Sequence, residues 1–182
     1  MARNLVKRHS LIGFALEQCE VDGLALQFGV YQGASLRLIA EAMPQVIYGF
    51  DSFEGLPEDW THFQRKGRFS MEGQLPALEL DNVRLVKGWF EETLPAFLST
   101  HDAPVRFVHI DSDIYSSAVT ILTHLRPRLV KGTVILFDEY MNYPGWQLHE
   151  FKAFKEHVEA TGQRYEYLGF ASSSQGVAVK IL

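Results

Sequence analysis

The sequence has little cysteine. Cys19 is the only one, so there is no intrachain disulfide and no cysteine-based zinc site. No apolar run reaches transmembrane length, and the opening residues MARNLVKRHS lead into no signal-type segment, so a cytosolic protein is the expectation. Internal repeats and low-complexity tracts are absent. Positive charge is not in excess: 17 Lys and Arg against 22 Asp and Glu give a net charge of −5. That balance argues against nucleic acid or an anionic membrane as partner. The 182 residues are 47% hydrophobic and 21% charged, ordinary for a globular protein and enough to bury one core. Residues 1–182 are therefore read as a single domain.

Short apolar runs alternate with segments of helical period. LALQF, VIYGFD, VRLVKG, VRFVHID and TVILFD read as five strands. Between and after them, ASLRLIAEAM, EETLPAFLST, SSAVTILTHLRPRLV and QLHEFKAFKEHVEAT read as helices, and NLVKRHSLIGFALEQC as a helix ahead of the first strand. Such alternation predicts an α/β fold, a mostly parallel sheet with helices on both faces. YEYLGF and GVAVKIL, joined by ASSSQ with no helix between, predict a closing antiparallel pair. Residues 55–80 have scattered glycines and prolines and are longer than an ordinary connection, which predicts a surface excursion that could act as a lid.

Two of the strands end in carboxylates. FVHIDSDIYSS delivers Asp111 and Asp113, and TVILFDEY delivers Asp138 and Glu139. Ligands of open parallel sheets sit beyond the carboxyl ends of the strands. If these two strands are neighbours, the carboxylates converge, and they repel one another unless a cation is present. An all-oxygen set suits a hard divalent ion, Mg2+ above all. The alternative is that these aspartates cap the helices that follow.

The first strand–helix turn, QFGVYQGAS, has Gly29 and Gly33 around a tight loop. A dinucleotide fingerprint needs a glycine where Tyr31 stands, so the loop suits a nucleoside ligand without a pyrophosphate. Asp51 ends the second strand, about 20 residues on, the spacing at which a carboxylate takes ribose hydroxyls. Simple helix–strand packing is the other use for such glycines.

GFDSFEGLPEDW, VKGWFEETLP, HIDSDIYSS and ILFDEY together resemble the macrocin O-methyltransferase family, a branch of the class I S-adenosylmethionine-dependent methyltransferases. The resemblance covers roughly residues 24–154. It implies a Rossmann-like sheet of seven strands in the order 3-2-1-4-5-7-6, the last strand antiparallel. It also implies S-adenosylmethionine and Mg2+ as cofactors, and a small-molecule hydroxyl, often a sugar's, as acceptor. By the same resemblance Asp111, Asp138 and Glu139 are the metal ligands and Asp113 is the general base. Asp51 would bind the ribose, Gly88, Trp89 and Phe90 would flank the adenine, and Ser52 and Phe53 would also contact the cofactor. The turn from Gly29 to Gly33 would border the methionine moiety and Gln27 would hydrogen-bond its ammonium group, with Ser35 and Asp111 as further cofactor contacts. Gln27 stands where the family usually has an acidic residue, and Glu139 where it commonly has Asp. The N-terminal part is expected to be short where members carry substrate-covering segments.

Other residues are weighed on their surroundings. His109 lies inside an apolar strand and reads as a core histidine; His149 reads as a solvated helix residue that could face the site. Trp146 is a candidate wall of the acceptor pocket, with plain aromatic packing the alternative, and Tyr115 and Tyr140 are candidates to reach the acceptor. Two further functions stay open: a non-catalytic nucleoside-binding module, and a nicotinamide-dependent oxidoreductase.

Overall fold

A computed structural model describes residues 1–182. Eight strands form one sheet: β1 (Arg3–Asn4), β2 (Leu24–Phe28), β3 (Ile47–Asp51), β4 (Val83–Lys87), β5 (Val105–Ile110), β6 (Val134–Phe137), β7 (Tyr165–Phe170) and β8 (Val177–Ile181). Five helices accompany them: α1 (Arg8–Glu17), α2 (Ala34–Ala42), α3 (Phe90–Leu98), α4 (Tyr115–Leu125) and α5 (Glu150–Thr161).

The sheet order is β1-β7-β8-β6-β5-β2-β3-β4, with β8 antiparallel to both its neighbours and every other pair parallel. Read from the far edge, the seven long strands follow the expected order. The eighth is a correction: the two-residue β1 adds itself in parallel to β7. So short a pairing has no hydrophobic period to announce it.

The central strands are buried on both faces, so their side chains are apolar without alternation. One face carries α1 and α2, where Leu11, Ile12, Leu36 and Ile39 meet Ala25, Phe107 and Val134. The other carries α3, α4 and α5, where Leu94, Phe97, Ile121, Leu122 and Phe154 meet Leu26, Phe28, Val108 and Ile110. The last helix is shorter than its sequence period: it begins at Glu150, and a 3₁₀ turn occupies Trp146–Leu148.

Register decides what the strands deliver. Phe50, Phe28, Ile110 and Phe137 pair across β3, β2, β5 and β6. One residue further along each strand lie Asp51, Gly29, Asp111 and Asp138. The ladder continues into that row, since Asp111 N–H donates to the Phe28 carbonyl and Asp138 N–H to that of Ile110, both at 2.9 Å. Three of the four positions in one transverse row at the strand ends are therefore aspartates.

Candidate active site

Gly29 has to be glycine. Its φ is +85°, and a Cβ there would stand 1.7 Å from the backbone oxygen of Asp111. The chain thus passes close over β5 and turns into α2, whose N-cap is Gly33 at φ +83°. Asp51 holds the turn. Its Oδ2 accepts from the backbone N–H of Val30 (2.7 Å) and Tyr31 (2.8 Å), and its Oδ1 from Phe53 N–H (2.7 Å).

A cavity of about 720 Å³ opens beyond this row. That is within the range of roughly 300–1,000 Å³ for small-molecule sites. Gly29, Ser35, Asp51, Ser52, Trp89, Phe90, Asp111, Asp113, Asp138 and Glu139 all line it. Four residues expected beside the cofactor do not. Gln27 is fully buried beneath the loop, where its Nε2 donates to the Gly29 carbonyl (2.8 Å) and Ser35 Oγ (2.9 Å). Phe53 is turned into the core by its own positive φ of 60°. Gly33 packs under Leu78, and Gly88 abuts Thr93.

The acidic residues do not cap helices: the N-cap of α4 is Ile114, and it makes no side-chain cap bond. They form a cluster instead. Oxygens of Asp111, Asp113 and Glu139 lie within 4.8 Å of one another, and a ring nitrogen of His109 with oxygens of Asp111 and Asp138 forms a second such trio. The expected set of Asp111, Asp138 and Glu139 is thus divided between two trios. Asp113 does not continue an extended strand, as a simple period-2 projection would have it. Its φ of +63° folds the chain back, which brings it beside Asp111.

Electrostatics follow from this crowding. Burial, then the neighbouring Asp138, raises Asp111 to about 6, against the opposing pull of His109 and Arg8. Burial and the carboxylates of Asp111, Asp138 and Asp51 push Asp113 well above the ordinary carboxylate range. Glu139 is pushed the same way by burial, Asp111, Asp138 and Glu150, and its Oε2 is buried without a partner. Asp138 goes the other way: burial opposes its charge, but His109 and Arg8 more than compensate.

Sequence reasoning missed three members of the site. Arg8, the first residue of α1, reaches Asp111 Oδ2 with Nη2 (2.8 Å) and Asp138 Oδ1 with Nε (2.6 Å). His109 is a core residue, as expected, but its Nε2 stands 3.5 Å from Asp138 Oδ1. Glu150 is wholly buried, and its oxygens accept from the backbone N–H of Ser112 and of Glu139, each at 3.1 Å. It pins both acidic loops together. Nothing in the helical period of QLHEFKAFKEHVEAT marked Glu150 for such a role.

Glu150→Gln should destabilise the fold, because the amide offers only one acceptor and leaves one buried N–H unpaired. The cost is about 1–3 kcal/mol, read by urea denaturation. Burial raises Glu150 well above the usual range in the folded state. Its protonated form therefore stabilises, and that contribution is lost as pH rises from about 4.3 upward. The penalty of the variant should accordingly be largest in acid and shrink toward neutral pH; a pH-independent penalty would refute this account.

The excursion closes over the cavity. Leu56, Pro57, Trp60 and Phe69 line it, and Glu58 accepts from Ser116 Oγ at 2.6 Å. Trp60 packs edge-on against Tyr143 and His149. It is Trp60, not Trp146, that walls the cavity; Trp146 packs on Phe151. His149 is half-buried in this aromatic cluster, and burial lowers its pKa. Tyr115 bonds Glu156 and Tyr140 bonds Tyr167, so neither faces the cavity.

A family model described as "Methyltransferase domain" matches residues 26–140. The chain is 29% identical to an 8-demethyl-8-(2,3-dimethoxy-alpha-L-rhamnosyl)-tetracenomycin-C 4'-O-methyltransferase of Streptomyces olivaceus, over 74% of this chain and 60% of that one. It is 25% identical to a demethyldecarbamoylnovobiocin O-methyltransferase of Streptomyces niveus, over 75% of this chain and 64% of that one. It thus spans under two thirds of either relative's length. Among solved structures, the calicheamicin methyltransferase CalS11 superposes with a TM-score of 0.74 at 23% identity, covering 96% of this chain and 80% of that one. The O-methyltransferase NovP does so with a TM-score of 0.73 at 23% identity, covering 95% and 78%. At these identities the two structures speak for the fold.

Proposed function

This chain belongs to the methyltransferase-domain family, and we propose that it is an enzyme moving a methyl group from S-adenosylmethionine to a hydroxyl of a sugar or natural-product-like small molecule, with Mg2+. The macrocin-type branch, a single domain and a cytosolic site of action are part of the same reading. So is a small molecule, rather than nucleic acid or membrane, as partner. No helix is long and apolar enough to cross a membrane.

The observation that carries the proposal is the transverse row of carboxylates at the strand ends, opening on a cavity of about 720 Å³. The ligand residues fit a hard cation: Asp111, Asp138 and Glu139 offer oxygens only, Asp111 lies in a trio with each of the other two, and the Glu139 Oε2 is buried without a hydrogen-bond partner. The loop fits a nucleoside sulfonium, because Gly29 lets the backbone turn tightly over β5 beside Asp51.

When bound, S-adenosylmethionine supplies the electrophilic methyl and Mg2+ the Lewis acidity that lowers the acceptor hydroxyl's pKa. Asp111, with Glu139 and Asp138, would hold the cation. Asp51 would orient the ribose while keeping the loop closed, and Trp89 and Phe90 would flank the adenine. Asp113 would take the hydroxyl proton on its carboxylate. Burial and neighbouring carboxylates raise its proton affinity above that of an ordinary aspartate, which strengthens it as a proton acceptor. Trp60 and the excursion would exclude water and align the acceptor, since methyl transfer is chiefly a positioning task.

Thermal-shift measurement tests the reading: stabilisation by S-adenosylhomocysteine but not by NAD is expected, with a further shift on adding Mg2+. Stabilisation by NAD would revive the nicotinamide alternative. Binding of S-adenosylhomocysteine with no methylation of any sugar-bearing acceptor would favour the non-catalytic module, for which Gln27 in place of an acidic residue is the motive. Asp51→Ala should lower affinity for S-adenosylhomocysteine by about tenfold to a hundredfold, the worth of a charge-assisted hydrogen bond. Unchanged affinity by calorimetric titration would take Asp51 out of the site.

A further inference from the structure

Arg8 is the one cation among the residues lining the cavity, against Asp51, Glu91, Asp111, Asp113, Asp138 and Glu139. It is not a loose surface arginine. Nη2 meets Asp111 at 2.8 Å and Nε meets Asp138 at 2.6 Å, so one guanidinium bridges the ends of β5 and β6. Burial disfavours its charge, yet Asp138, Asp111 and Glu139 outweigh that and stabilise the charged form.

The chain also fixes where Arg8 arrives. β1 pairs with β7, and Leu5 N–H donates to the Phe170 carbonyl at 2.9 Å. Ser173 grips the Val6 carbonyl twice, through its N–H (2.9 Å) and its Oγ (2.5 Å). Val6 is held at φ +61°, a conformation that a β-branched residue rarely adopts. The bend it makes leads into α1 and aims Arg8, at the helix's first residue, over the strand ends.

Asp111 belongs to both of the trios that could hold a metal, and Asp138 to one of them. Arg8 already engages Asp111 Oδ2 and Asp138 Oδ1, and a guanidinium and a divalent ion drawn to the same two carboxylates repel each other strongly in a partly buried site. Arg8 has a way out, since its side chain is 40% exposed.

We infer that Arg8 and the divalent cation are alternative occupants of the Asp111–Asp138 pair, so that α1 carries the chain's own competitor for its metal. The inference rests on the Mg2+ reading proposed above. It makes Arg8 a positioning residue that sets metal affinity: it neutralises the carboxylates when no ion is bound, and swings to solvent or to the acceptor when one is.

The test is calorimetric titration of Mg2+ into the full chain and into Arg8→Gln and Arg8→Lys, with circular dichroism and S-adenosylhomocysteine titration to verify folding. Arg8→Gln should bind Mg2+ at least about tenfold more tightly, the size expected from removing one close like charge. Arg8→Lys, which keeps a charge but cannot span both carboxylates, should gain less. Should Arg8→Gln fail to fold, a gain in Arg8→Lys still supports the inference and its absence overturns it. Equal affinities in all three proteins would overturn the competition and leave the metal reading standing. Weaker binding in Arg8→Gln would overturn it as well, making Arg8 a support of the site. No Mg2+ binding by any of the three, with S-adenosylhomocysteine still bound, would remove the metal reading and the inference with it.

Discussion

Asp113→Asn should lower turnover by about 10²- to 10⁴-fold with an identified acceptor, the usual worth of general-base assistance. Asparagine is the right probe for two reasons. It keeps the shape and removes the proton acceptor. It also tolerates the left-handed backbone that Asp113 adopts at φ +63°, so the loop need not move. Affinity for S-adenosylhomocysteine should hardly change, because the loop proposed to take the nucleoside hangs on Asp51 and Gly29. The closeness of Asp113 to Asp111 and Glu139 sets up the decisive comparison. If Asp113→Asn weakens Mg2+ binding as severely as Asp111→Asn, Asp113 is a ligand and not the base. If turnover is unchanged, no proton passes through it.

The second large effect is expected at Gly29. In Gly29→Ala the new methyl would meet the Asp111 backbone oxygen at 1.7 Å, and that oxygen belongs to a strand end that cannot rotate away. Overpacking a rigid site costs about 1–3 kcal/mol, and a side chain in the left-handed region roughly 1–2 kcal/mol more. Unfolding by urea should therefore show a loss of roughly 2–5 kcal/mol. S-adenosylhomocysteine affinity should collapse with it, since relieving the clash parts β2 from β5 at the row that carries Asp111. A variant as stable as the parent would mean that the loop is not packed as described.

Much of this protein was legible in its sequence because the informative patterns are local. Short, mostly apolar runs such as VILF and FVHI between helical segments read as strands buried on both faces, and the helices between them favour parallel pairing. Carboxylates at Asp51, Asp111 and Asp138 follow such runs directly, so their place beyond the strand ends needed nothing further. What only the tertiary structure decided is which groups face those carboxylates. Arg8 comes to Asp111 from 103 residues away, guided by a two-residue strand and a strained bend at Val6. Glu150 reads as one more charge on an amphipathic helix until α5 buries it between the two acidic loops. Phe53 and Trp60 belong to the same family-like motif, GFDSFEGLPEDW, yet a positive φ turns Phe53 into the core while Trp60 ends up against the cavity. Period and composition are properties of neighbours along the chain; charge pairing and the direction of a side chain in a turn are settled by what the folded sheet brings alongside.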